Sequence, residues 1–210
     1  MRVEVWVDVL CPWGYIGKRR LERALTRFER RAEVEIVWRS LQLDPDSPRI
    51  AGGPLADLLV EYGVYESRRA ALRQFEMITY LGRQEGLELH PAGAVPTNSF
   101  DAHRLLHLAT ERGCGDAMVE RLLYGCLTEN IDAADHGALV SLGREVGLDH
   151  GEMWAVLDSD TYAGSVLADR DLARERGLRG SPTFVVGGHT APLGAPSVDT
   201  LLELLGQPVC

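Results

Sequence analysis

The sequence predicts an α/β fold: one small sheet built from both ends of the chain, interrupted by a large all-helical insertion. Three observations carry this. Residues 2–9 and 33–40 alternate apolar and polar side chains with the period of a strand. Residues 50–177 hold almost no strand signal and read as a series of helices. Strand character then returns at residues 183–186, so the C-terminal part must complete the sheet.

The first strand carries Val3, Val5, Val7 and Val9. A helix over about 15–31 follows, with Leu21, Leu25 and Phe28 on one stripe. The second strand carries Val34, Ile36 and Trp38. Two strands joined by a helix make a βαβ unit, hence a parallel pair. Helices are expected over 55–62, 66–85, 100–112, 116–128, 134–146, 151–157 and 162–176, several ended by glycine. The one at 100–112 takes Asn98 or Ser99 as its cap, and the Pro- and Gly-rich residues 89–97 form a loop. After the strand at 183–186, Gly187-Gly188 signals a hairpin turn, with the return strand at 189–193. Ser197 caps a last helix with Leu201, Leu202, Leu204 and Leu205. The outline is a thioredoxin-like domain (1–49 and 178–210) with a helical insertion domain (50–177), whose last helix, 162–177, packs on the thioredoxin-like part.

The 210 residues are 45% hydrophobic and 25% charged, an ordinary globular composition. A net charge of −9 argues against a nucleic-acid surface and against an anionic membrane as partner. No segment approaches the ~18 apolar residues of a membrane span. The N-terminus alternates like a strand and has no signal-peptide core, so the chain is expected to stay in the cytoplasm. Four cysteines (Cys11, Cys114, Cys126 and Cys210) are then expected as free thiols. Their spacing fits no zinc pattern.

Cys11-Pro12-Trp13-Gly14 joins the first strand to the first helix. A thiol there meets unpaired backbone N–H groups and the positive end of the helix dipole, which favour thiolate. The ordinary alternative, a buried inert cysteine, is opposed by its place beyond the carboxyl end of a strand. Pro12 suits the first helical turn. Gly14 stands where a Cys-x-x-Cys motif would put its second thiol. Far away, Gly180-Ser181-Pro182-Thr183 precedes the third strand. It reads either as an ordinary loop proline or as a cis proline that turns the Ser181 backbone toward Cys11, for pairing with an extended peptide or glutathione.

Taken together, these pieces resemble the DsbA-like thioredoxin-fold family, specifically its FrnE-type branch. The resemblance rests on DVLCPWGYIGKRRLE, WRSLQLDP, NSFDAHRLLHLA and GLRGSPTFVV followed by LGAP, in the right order across nearly the whole chain. It implies that Cys11 is the attacking thiol and Pro182 the cis proline. The Ser181 backbone would lie beside the bound disulfide or thiol, with Trp13 flanking it. The chain departs from the branch at Gly14, where Cys is common, and at Ser181, where an apolar residue or Thr is common. Glutathione-using relatives, the 2-hydroxychromene-2-carboxylate isomerase and kappa-class glutathione transferase groups, also lack a dithiol. The resemblance also suggests a homodimer.

The expected activity is thiol–disulfide exchange by one thiol, Cys11, on a protein or small-molecule disulfide, with an external thiol such as glutathione as cosubstrate and no tightly bound cofactor. Cys210, Cys114 and Cys126 are internal candidates for the second thiol, although Cys126 sits in an apolar run. Alternatives are a glutathione-dependent isomerase or transferase acting on a small aromatic molecule, and a non-catalytic binding module. Asn98 and His103 are candidates for the cleft; His103 and His107 share a helix face, better read as packing than as a metal pair. Asp8 is either a proton acceptor for Cys11 or a solvated strand residue. Lys18-Arg19-Arg20 reads as a solvated face paired to Glu22 and nearby acids.

Overall fold

The computed structural model describes residues 1–49 and 53–207. In chain order the elements are β1 (Arg2–Val7), α1 (Pro12–Arg27), β2 (Glu35–Ser40), α2 (Leu55–Glu61), α3 (Arg68–Gln84), α4 (Phe100–Glu111), α5 (Gly115–Leu127), α6 (His136–Glu145), α7 (His150–Leu157), α8 (Ala163–Glu175), β3 (Thr183–Val186), β4 (His189–Thr190) and α9 (Val198–Leu205). The predicted α/β sheet with a helical insertion is what forms.

The sheet order is β2-β1-β3-β4, with β1 parallel to β2 and antiparallel to β3. Val5 sits between Trp38 and Phe184, so residues from both ends of the chain meet across the central strand. Val3, Val5 and Val7 join a core with Leu21 and Leu25 of α1 and Leu201 and Leu205 of α9. Trp6 and Val185 pack the other face against Leu41 and Ala173, the latter from α8. Asp169 of α8 accepts from the Ser40 N–H at 2.9 Å and pairs with Arg39, which binds α8 to β2. The larger core runs without a break from the sheet into α4–α7, where Leu105, Leu122 and Leu139 are fully buried.

Several element boundaries differ from the sequence reading, each for a local reason. Helix α1 begins at Pro12 and stops at Arg27, because Phe28 turns extended and packs against the core. The return strand is only two residues long: the Ala191 N–H still bonds to Phe184 O, but the next hydrogen-bonded pair in this register would set Leu193 against Pro182, which has no N–H to donate. Residues 89–97 include one turn of 3-10 helix at Pro91–Gly93. Ser99 is the N-cap residue of α4, while the side chain of Asn98 accepts from the Phe100 N–H at 2.9 Å.

The basic run on α1 is not a solvated face. Lys18 is 3% exposed and pairs with Glu22 of its own helix and with Glu120 and Asp116 of α5. Burial alone would lower its pKa, but the three acids hold it above the ordinary lysine value. Arg19 pairs with Glu22 and Glu120, and Arg20 with Glu85. The cations therefore fasten the first helix to the insertion.

Candidate active site

Cys11 is the N-cap of α1, with extended backbone (φ −92°, ψ 110°) and Pro12 in the first helical turn. Its N–H donates to Asp8 O at 3.0 Å, and its carbonyl accepts from the Gly14 N–H at 2.9 Å. The Sγ donates to the carbonyl of Ser181 at 3.2 Å. The Ser181–Pro182 peptide bond is cis. The cis-proline reading is thus the correct one, and the loop before β3 faces Cys11. The same loop is braced by the Thr183 hydroxyl, which donates to Gly180 O at 2.7 Å. The close approach of α1 requires Gly17: a Cβ there would lie 2.9 Å from Pro182 Cγ and 3.0 Å from Phe184 Cζ.

The thiol is not the ready thiolate that its place at a helix N-terminus suggests. Burial pushes the Cys11 pKa up to about 11. The hydroxyl of Ser181 and the amides of Gly14 and Trp13 pull it down, and the charge of Asp8 adds to the rise. Local dipoles act as expected, but Cys11 is only 3% exposed, and its sulfur has lost more from desolvation.

Asp8 is not a solvated strand residue; it is 2% exposed. Its Oδ1 accepts from the Leu10 N–H at 3.1 Å and its Oδ2 from the Leu43 N–H at 2.7 Å. Burial raises its pKa, but the His103 ring and these two amides more than offset this and hold it below the ordinary carboxylate range. His103 Nε2 stands 3.7 Å from Oδ1, beyond the reach of an ordinary hydrogen bond. His103 is fully buried, and neither ring nitrogen has a hydrogen-bond partner among the described residues. His107, four residues on, bonds to the Ser40 hydroxyl and stacks on Tyr162.

Asn98 precedes α4 and is fully engaged within the protein. Its Oδ1 accepts from Gln42 as well as from Phe100 N, and its Nδ2 donates to Pro45 O and Ser47 O. It shapes the loop after β2. Trp13 is half-buried and packs against the core beside the turn. Cys114 and Cys126 are free thiols; burial pushes the Cys126 pKa up to about 12. Cys210 lies outside the described residues. Among those residues, no group of three or more His, Cys, Asp or Glu is placed to hold a metal ion.

The side chain of Ser181 is the contribution that the sequence reading missed. Its Oγ accepts the Asp8 N–H at 2.9 Å while its hydroxyl steadies the sulfur. The available signal was a hydroxyl residue where the resembled branch favours an apolar residue or Thr. Ser181→Ala is expected to raise the Cys11 pKa further and slow its alkylation by iodoacetamide at fixed pH. It also strands the buried Asp8 N–H, at a cost of about 1–3 kcal/mol in urea unfolding. Unchanged or faster alkylation would remove the hydroxyl from the site.

A family model described as a DSBA-like thioredoxin domain matches residues 2–206. A probable DsbA oxidoreductase from Streptomyces coelicolor superposes with a TM-score of 0.92 at 35% identity, covering 98% of this chain and 88% of that one. The uncharacterized protein YwbO of Bacillus subtilis (strain 168) is 26% identical over 209 residues, 99% of this chain and 96% of YwbO. The cytosolic disulfide reductase DsbM from Pseudomonas aeruginosa, solved with GSH, shares the fold at a TM-score of 0.64 and 17% identity, covering 98% of this chain and 97% of DsbM. With a helix-capping cysteine facing a cis proline inside a match of this length, the chain belongs to the DSBA-like thioredoxin domain family.

Proposed function

We propose that this protein is a cytoplasmic thiol–disulfide oxidoreductase of the FrnE-type branch that works through one thiol, Cys11. The observation that carries this reading is the hydrogen bond from Cys11 Sγ to Ser181 O, the carbonyl just before the cis proline. The sulfur rests against the backbone segment with which an extended disulfide substrate would pair. Docking of the substrate takes the Ser181 carbonyl away from the thiol. The freed sulfur then has the Gly14 and Trp13 amides and the Ser181 hydroxyl as donors, all of which favour thiolate. It attacks one substrate sulfur: the new S–S bond forms, the old one breaks, and the leaving thiolate takes up a proton. Gly14 offers no second thiol, so an external thiol releases the product and restores Cys11. Glutathione is the natural candidate, since DsbM, which has the same fold, was solved with it. Protein disulfides, small disulfides and glutathione adducts all fit as substrates.

The test is direct. After exposure to oxidised glutathione, mass spectrometry should find one glutathionyl group on the Cys11 peptide. Cys11→Ser should lose both that adduct and glutathione-coupled disulfide reduction, by at least about 10³-fold, the scale of losing a nucleophile. Turnover that survives in Cys11→Ser would sink the reading.

A large apolar cavity beside the turn, about 630 Å³, favours a second reading, glutathione-dependent isomerisation or transfer on a small aromatic molecule. The two differ in stoichiometry: isomerisation leaves glutathione unconsumed and transfer conjugates one molecule without oxidising it, whereas disulfide reduction oxidises two molecules for each disulfide reduced.

A further inference from the structure

That cavity has a composition that selects its occupant. Leu55, Leu58 and Leu59 of α2, Val95 and Pro96 of the loop before α4, and Leu127 of α5 supply its walls. Its volume lies within the ~300–1,000 Å³ of small-molecule sites. Leu43, Tyr62 and Val64 also line it and remain more than half exposed, an apolar patch left open to solvent. Asp8 and Leu10 are lining residues too, so the cavity reaches the residue before Cys11.

The charge of the lining points one way. Asp44 and Asp46 line the cavity as exposed side chains, and Asp8 lies buried in its wall. None of the described lining side chains is basic. An anion entering would meet like charge and, among the described lining residues, no counter-charge. We propose that the cavity takes the apolar body of a small disulfide without negative charge and holds its sulfur toward Cys11. Aromatic carboxylates are excluded by the same residues. This rests on the reading of Cys11 as nucleophile. The step is the exchange already described, with an external thiol as the reductant.

Two aromatic disulfides separate the charge: neutral 4,4′-dithiodipyridine and dianionic 5,5′-dithiobis(2-nitrobenzoate). For each, the Cys11-dependent rate is that of the wild type minus that of Cys11→Ser. The neutral-to-anionic rate ratio should exceed the same ratio for free glutathione at least tenfold. Asp44→Asn/Asp46→Asn, at exposed positions, should lower it several-fold, and Leu58→Arg should reverse it. A wild-type ratio equal to that of glutathione overturns the proposal, as does a raised ratio that neither variant changes. A probe that needs no sulfur chemistry separates the two readings. Cys11→Ser protein should bind uncharged Nile red at least tenfold tighter than anionic anilinonaphthalene sulfonate, and Leu58→Arg should abolish the difference. That preference without any Cys11-dependent rate means that the nucleophile reading has failed while the cavity stands; a Cys11-dependent rate without the preference means the reverse.

Discussion

Cysteine at position 14 does not restore a working dithiol. A Cβ at Gly14 would stand 2.7 Å from Val7 Cγ2 and 3.6 Å from Ser181 Oγ. Val7 is fully buried and β-branched, so it has no free rotamer to turn to. Overpacking of this kind costs about 1–3 kcal/mol. In an unobstructed helix, replacing Gly by Ala would instead gain up to about 1 kcal/mol. The two effects have opposite signs, so a double-mutant cycle tells them apart. Gly14→Ala should lower the urea midpoint in the wild type and raise it in a Val7→Ala background. Gly14→Cys alone should give a less stable protein whose two thiols do not pair on mild oxidation. With Val7→Ala in the same chain, the introduced thiol should form a disulfide with Cys11. If Gly14→Ala raises stability in both backgrounds, the fit of Val7 against the turn is not what keeps the second thiol out.

What the sequence made legible here was local. The alternation of Val3, Val5 and Val7, the stripe of α1 and the Gly-Ser-Pro-Thr segment before β3 each declare themselves within a few residues. Pro12 and Ser197 mark helix starts for reasons that need no partner; the Ser197 side chain does accept from Thr200 N. What stayed hidden depends on residues far along the chain. Lys18 looked solvated because Glu120 and Asp116, about a hundred residues on, are what allow it to be buried. Asp8 looked balanced between two roles until the Leu43 amide and His103 enclosed it. The acidity of Cys11 divides along the same line. The helix terminus, which is local, was read with the correct sign, but the desolvation imposed by the whole fold outweighs it.

Asp8→Asn is expected to weaken the fold and quicken the thiol together. The carboxylate ties the end of β1 to the exit of β2 by accepting from both Leu10 and Leu43. An amide keeps one acceptor and turns a donor toward the other N–H, at about 1–3 kcal/mol. The effect has a pH signature. Because the folded pKa of Asp8 is lowered, its contribution is full above the unfolded carboxylate pKa and is lost as pH falls through the folded value. The stability gap between wild type and variant should therefore be widest near neutrality and shrink in acid. Cys11 responds in the opposite sense, since the charge of Asp8 is one of the causes that raise its pKa. Without that charge the pKa drops from about 11, and each unit of the fall gives about tenfold more thiolate at a fixed pH below it. Iodoacetamide alkylation of folded Asp8→Asn should thus be faster than in the wild type, with its midpoint at lower pH. Cys11 itself adds an alkaline limb: a thiol whose folded pKa is raised loses its contribution to stability between the unfolded value, about 8.5, and about 11. That limb should shorten in the variant. A variant that loses stability without gaining alkylation rate would show that the field of Asp8 does not reach the sulfur. The carboxylate would then serve the strand end alone.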